Sequence, residues 1–372
     1  MVEYMENKVL KPKIRFKGFT DTWEQRKVGE FGELITGTTP STSDVNNYNG
    51  DYLFVSPADI QGNRFVKNTI TTLSEKGFCK CRRLKADSVL FVSIGSTIGK
   101  VAQIKEIAVT NQQINAIIPN EKYNPNFVYS LLENKAEDIK KQASAQAVPI
   151  INKTTFGEIE CFVTTSKEEQ TKISKILLNI DNLITLHQSK YDKLVNVKKA
   201  LLEKMFPKDG KNVPEIRFKG FTDTWEQRKL GDVVDVRSGK DYKHLSEGNI
   251  PVYGTGGFML SVNQALSYDE DAIGIGRKGT IDKPYILKAP FWTVDTLFYA
   301  IPREKVDLNF AFDVFQNIDW KKKDESTGVP SLSKTAINEI DVLVPQYDEQ
   351  QPLGQFFNRI DNLITLHQQI IN

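Results

Sequence analysis

Between Lys167 and Phe206 the chain carries neither proline nor glycine, and its apolar residues fall on a seven-residue grid. Ile173, Ile180, His187, Leu194 and Leu201 recur every seven positions, with Ile176, Leu183 and Val197 at most of the interleaved ones. Spacings of three and four lay one apolar stripe along a helix, and a stripe this regular reads as a coiled-coil seam. Forty residues at 1.5 Å each predict a rod of about 60 Å. Residues 348–372 repeat the register: Leu353, Ile360 and His367 match Ile173, Ile180 and His187, while Phe356, Leu363 and Ile370 fill the other seam. Nothing there corresponds to Asp192–Phe206, as expected of a naturally short helix or a truncated one. Each stripe must be buried, and the simplest partner is the other copy. The first helix must run on into the second half of the chain, so an antiparallel pair with one domain at each end is expected.

The rest of the pattern is β-rich. Tyr52–Ser56, Ser88–Ser93 and Ile114–Ile118 are short apolar, β-branched runs bounded by turn residues. Pro251–Tyr253, Ala272–Ile275 and Thr296–Ile301 correspond to them in the second half. Helical spacing covers Asn126–Lys141 and Leu308–Ile318. The predicted organisation is an α/β (mixed α+β) domain over residues 13–166, a helix over 167–206, a second such domain over 214–346 and a second helix over 348–372.

The halves are copies. Residues 14–27, Ile-Arg-Phe-Lys-Gly-Phe-Thr-Asp-Thr-Trp-Glu-Gln-Arg-Lys, recur without change at 216–229, an offset of 202. Ile180–Gln188 recurs as Ile360–Gln368, an offset of 180. Between these anchors only scattered pairs persist, such as Thr110 with Thr293 and Phe127 with Phe310, both at offset 183. Repeats of this kind take precedence over local signals. Identical edges suggest a shared docking task, and divergent interiors suggest that each half recognises something different. Gene duplication with uneven drift explains the identity, but less easily its confinement to the edges.

Composition is that of a globular protein: 40% hydrophobic, 26% charged and 10% aromatic. The 49 basic residues nearly cancel the 47 acidic ones, so overall charge names no partner. Locally, Lys76–Lys85 holds five cations, readable as a nucleic-acid patch or as a solvated turn. Cys79, Cys81 and Cys161 make no disulfide framework, and Cys79-Lys-Cys81 lacks the further ligands of a zinc site. Sparse cysteines and the lack of a long apolar run or signal-like N-terminus point to a soluble cytoplasmic protein outside the membrane.

The twofold repeat, the opening at Pro214–Asp232, the Gly-rich Tyr253–Gly257 and the Glu169-Gln170 helix start together resemble the specificity subunits of type I restriction–modification systems. The resemblance covers essentially the whole chain. It implies two target-recognition domains, each reading one half of a bipartite double-stranded DNA site, with the antiparallel coiled coil fixing the gap. It also implies two methyltransferase subunits on the repeated helices and motor-nuclease subunits joining that core. S-adenosylmethionine, ATP and Mg would belong to those partners and no cofactor to this chain. Partner and helix–helix contacts would fall on Ile173, Ile176, Ile180, Leu183, His187, Leu194, Leu353, Phe356, Ile360, Leu363 and His367. Because bases are read at their edges while Lys and Arg hold phosphates, basic residues at strand ends are the candidate DNA contacts. These are Lys80, Arg82, Arg83 and Lys100 in the first domain, and Lys240, Lys243, Arg277 and Lys278 in the second.

Three apparent catalytic motifs fail on context. Gly274–Gly279 fits G-x-G-x-x-G, but Thr-Ile-Asp-Lys-Pro follows instead of a helix start. Gly95–Lys100 is a phosphate loop one residue short, with Val101 in place of Ser or Thr. Asn124-Pro-Asn-Phe127 lacks one proline of an amino-methyltransferase motif and reads as a helix cap. No catalytic or metal-binding residue is therefore expected. A coiled-coil scaffold without DNA binding is the alternative from another class.

Overall fold

The computed structural model describes residues 11–143, 149–208, 210–324 and 326–371, so Asn372 of the expected second helix lies outside the described residues. Contacts divide the chain into two compact units that part between Leu186 and His187, inside the first long helix, Lys167–Met205.

In the first unit, five strands form one sheet in the order Gly32–Thr36, Ile114–Pro119, Val89–Val92, Val101–Ile104 and Phe65–Val66. Only the last pairing is parallel. The unbroken run Val-Leu-Phe-Val is explained by burial on both faces. Val89 and Phe91 point into a core with Phe127 and Leu132 of helix Pro125–Ala143, while Leu90 and Val92 point into another with Val55 and Ile104. A smaller sheet joins Thr72–Leu73, Tyr48–Val55 and Val109–Thr110.

The second unit repeats the plan. Its larger sheet runs Val234–Ser238, Leu297–Pro302, Ala272–Gly276 and Tyr285–Leu287, and its smaller one Gly257–Val262, Glu247–Gly254 and Trp292–Thr293. Helix Leu308–Asn317 packs on it as Pro125–Ala143 does in the first. The second long helix spans Tyr347–Ile371.

The copied openings end in strands that sequence patterning does not reveal. Glu24–Lys27 pairs antiparallel with Glu160–Val163, and Glu226–Lys229 with Asp341–Val344. Glu-Gln-Arg-Lys has no apolar alternation. The partner strands supply it, through buried Cys161 and Val163 in one case and Val342 and Val344 in the other.

The same openings clamp the starts of the long helices. Arg15 grips Glu169 through Nε–Oε1 at 2.6 Å and Nη2–Oε2 at 2.8 Å, and Arg217 grips Glu349 with both distances 2.6 Å. Burial alone would push Glu169 up, but the Arg15 guanidinium holds it below the ordinary carboxylate range. The adjacent glutamines brace the other side. Gln170 accepts from the Asn124 amide at 2.8 Å and Gln350 from the Asp307 amide at 3.0 Å, each beside the start of its domain helix.

Arg217→Ala is expected to destabilise the second unit by about 3 kcal/mol, because it leaves the nearly inaccessible Glu349 carboxyl without the fork that bonds both its oxygens. Urea unfolding measures this, and the midpoint should fall further than for Lys219→Ala on the same segment.

Candidate nucleic-acid interface

In both units the loops at one end of the strands converge on a single short segment. In the second unit that segment is Thr293–Leu297. The Lys240 amide donates to the Thr293 carbonyl at 2.9 Å, the Val294 amide to Tyr253 at 3.0 Å and the Arg277 amide to Thr296 at 2.8 Å. In the first unit it is Thr110–Ile114. The Thr38 amide donates to Thr110 at 2.9 Å, the Asn111 amide to Val55 at 3.0 Å and the Ser93 amide to Gln113 at 2.8 Å. Gly37 and Gly239 make this convergence possible, since a Cβ there would sit 2.1 and 2.0 Å from a neighbouring carbonyl oxygen. Beside them Thr110 and Thr293 are buried and their hydroxyls find no hydrogen-bond partner.

The structure gathers Lys240, Arg277 and Lys278 around Thr293–Leu297, all exposed. The Lys240 carbonyl accepts the Trp292 indole N–H at 2.8 Å, which orients its backbone, and Arg277 lies 5.8 Å from the Phe298 ring centre. Lys243 is exposed in the turn Tyr242–Leu245. In the first unit only Arg82 reaches the corresponding loops, its amide bonding the Thr38 hydroxyl and its Nη1 the Thr36 carbonyl, both at 3.0 Å. Lys80 is bound to Asn47 at 2.8 Å and to Asp44. Lys76, with Lys80, holds the Asp44 carboxyl down to about 2. Arg83 lies over the Phe78 ring at 5.0 Å, and Lys100 donates to the Ile60 carbonyl at 2.8 Å. Sequence reading passed over Asn111, Gln112 and Gln113, which lie on the converging segment itself. The signal available was a threonine kept in both halves, followed at once by divergence.

The motifs set aside from sequence keep structural roles. Gly274–Gly279 is a strand end and turn, and Asn124 accepts from the Asn126 and Phe127 amides at 2.9 and 3.3 Å as a helix cap. Among the described residues no cluster of three His, Cys, Asp or Glu could hold a metal, and no helix is long and apolar enough to cross a membrane.

The helix faces divide unevenly. In the second unit the two helices run antiparallel: His187 meets His367, Lys198 meets Asp361, and Phe206 lies 6.2 Å from Phe357. The histidines share an Nδ1···Nδ1 hydrogen bond of 2.7 Å, and lost hydration, then His187, lowers the His367 pKa. Leu353 and Ile360 are buried in that unit's core, Phe356 packs on Phe218, Leu194 is half-buried and Leu363 is exposed. Val197, expected in the seam, is exposed, and Lys198 beside it is buried between Gln316 and Asp361. Buried Asp313 stands close enough for Lys198 to oppose, without overcoming, the rise that burial imposes on its carboxyl. In the first unit Ile173 lies against the core, but Ile176, Ile180 and Leu183 are exposed. Leu177 is 37% exposed where its counterpart Phe357 is 0%, and Ile180 is 46% exposed where Ile360 is 9%. The difference is coverage: Leu202, Met205 and Phe206 lie over the second unit's copy. In the first unit a cavity of about 350 Å³ opens among Ile14, Phe16, Trp23, Ile173 and Ile176.

Two copies of one α/β scaffold, each clamped to a long helix and each presenting different loops, define a two-headed recognition protein. The type I restriction modification DNA specificity domain matches residues 20–196 and again 222–372, and the chain belongs to that family. The MjaVIII type I restriction enzyme specificity subunit of Methanocaldococcus jannaschii is 23% identical over 389 residues, covering 93% of this chain and 88% of that protein. The HindI specificity subunit of Haemophilus influenzae is 29% identical over 188 residues, 49% of this chain and 40% of that one. A crystal structure of the type I restriction–modification S subunit from M. genitalium shares the fold, with a TM-score of 0.76 at 19% identity over 97% of this chain and 95% of that one. The chain is thus a non-catalytic DNA-recognition component of a type I restriction–modification complex.

Asp313→Asn provides a test by pH. The native Asp313 carboxyl titrates above its unfolded value of ~3.9, so the folded state binds the extra proton and stability falls as pH rises past that value. The variant should melt higher than the parent at neutral pH, with the difference shrinking toward pH ~4. Melting curves across that range measure it.

Proposed function

We propose that the two domains read the two halves of a split DNA target through their converging strand-end loops. The paired helices fix the gap between the halves. The observation that carries this reading is one scaffold, used twice, holding different chemistry at the same place. The first unit places amide side chains there, with Gln112 exposed and Asn111 bonded to Gln113 at 2.9 Å, while the second places Arg277 beside Thr296, a cation suited to guanine or phosphate. The exposed stripe of Ile176, Ile180 and Leu183 is a surface for methyltransferase subunits. Those subunits and the motor nuclease hold S-adenosylmethionine, ATP and Mg.

Methylome sequencing of cells expressing the chain with its methyltransferase is expected to return one bipartite motif of fixed gap. A continuous motif, or none, overturns the reading. In binding titrations with both partners present, the double variant Lys240→Ala, Arg277→Ala should lower the salt slope by ~0.9 for each phosphate that is no longer neutralised. Ile180→Asp with Leu183→Asp should abolish co-purification with the methyltransferase while leaving the melting temperature unchanged, since both side chains already face solvent.

A further inference from the structure

Arg64 lies in the variable interior of the first domain, yet its side chain is only 3% exposed. All three guanidinium nitrogens donate. Nε donates to Gln103 Oε1 at 2.8 Å, Nη1 to Asp181 Oδ2 at 2.7 Å, and Nη2 to the Asn126 carbonyl and Oδ1 at 3.0 and 3.1 Å. Its flat face lies 4.1 Å from the Tyr129 ring centre. Asp181, alone among these partners, belongs to the long helix, and it lies in the segment copied without change as Ile360–Gln368.

The place of this contact matters. The Arg15–Glu169 clamp, Gln170 and Ile173 already hold the start of the helix, but attachments gathered within its first two turns constrain its direction less than one placed further along it. Asp181 is twelve residues beyond Glu169, about 18 Å along the axis. A second attachment at that distance fixes the direction of the helix against the domain. The second unit has the same two points from different residues. Asp361 is twelve residues beyond Glu349, and its cation is Lys198, which also bonds Gln316 of helix Leu308–Asn317. The aspartate is copied and the cation is not: in the first unit it comes from the domain interior, and in the second from the far part of the first long helix, which reaches the domain helix through Gln316.

We propose that Arg64 and Asp181 form a positioning pair that sets the angle of the first reading head on its helix, and through it the tolerated gap between half-sites. This rests on the reading of two half-sites at a fixed gap. One base-pair step is ~3.4 Å, so a small swing at the domain's far face is enough to admit a neighbouring gap. Arginine suits the task because its planar fork bonds in several fixed directions at once, which lysine cannot do.

The test uses the full chain with its methyltransferase and S-adenosylmethionine. The substrates are duplexes carrying both mapped half-sites at the native gap, one base pair shorter and one longer. The parent should prefer the native gap by about tenfold or more, the scale of a single mismatch. Asp181→Asn and Arg64→Met should shrink that preference severalfold while rejecting a base change inside a half-site as the parent does. Asp181→Asn leaves the other Arg64 contacts in place, so it reports even if Arg64→Met fails to fold. Unchanged gap preference in Asp181→Asn overturns the proposal, as does joint loss of gap and half-site discrimination, which marks general structural damage. If the parent itself methylates no split site, the two-half-site reading falls first, and this inference with it.

Discussion

Glu169 and Glu349 have almost no access to water, and a lone buried carboxylate is a severe liability. Each is tolerated because an arginine 154 or 132 residues earlier in the chain meets it with both nitrogens of its fork. Much else follows from this pairing. It brings the opening segment to the start of the long helix, which lets Glu24–Lys27 and Glu226–Lys229 lie beside the strands that precede each helix. The neighbouring glutamines then tie the domain helices to the same place. The opening and the helix start are thus two halves of one joint, and each can change only with the other.

Beyond the joint, a shared frame and a free surface coexist. The larger sheet of the first unit is buried on both faces, so its central strand must stay apolar throughout. The converging loops carry no such burden. They need one close backbone approach, at Gly37 and Gly239, and a threonine beneath it. Around those fixed points the side chains can differ completely, which suits a protein whose frame is constant and whose reading surface must vary.

The long helices carry one stripe put to two uses. In the second unit the end of the first helix covers Trp225, Phe357 and Ile360 and completes a core. In the first unit the equivalent residues of the helix stay open to solvent. Equal sequence therefore does not mean equal burial, because burial depends on what arrives from elsewhere in the chain. The histidine pair marks the register of the antiparallel contact, since a bond between two Nδ1 atoms forms only when one donates and the other accepts.

Sequence alone settled what depends on local periodicity and on copying: the long helices, most central strands, the duplicated plan and the family it resembles. Glu24–Lys27 was hidden because its apolar half belongs to the partner strand. Val197 fits the seam by spacing, yet it is exposed and Lys198 beside it is buried, because an aspartate and a glutamine across the contact take up the Lys198 ammonium. Of the eight cations expected at DNA, all four of the first domain, Lys80, Arg82, Arg83 and Lys100, have side chains bonded to protein groups nearby, which the sequence pattern does not announce. Arg64 carries no signal in the sequence, and only the fold brings Gln103, Asn126 and Asp181 around it. Tertiary structure decided all of these for one reason. A polar side chain's role is set by the partner it meets, and here the partners come from distant parts of the chain.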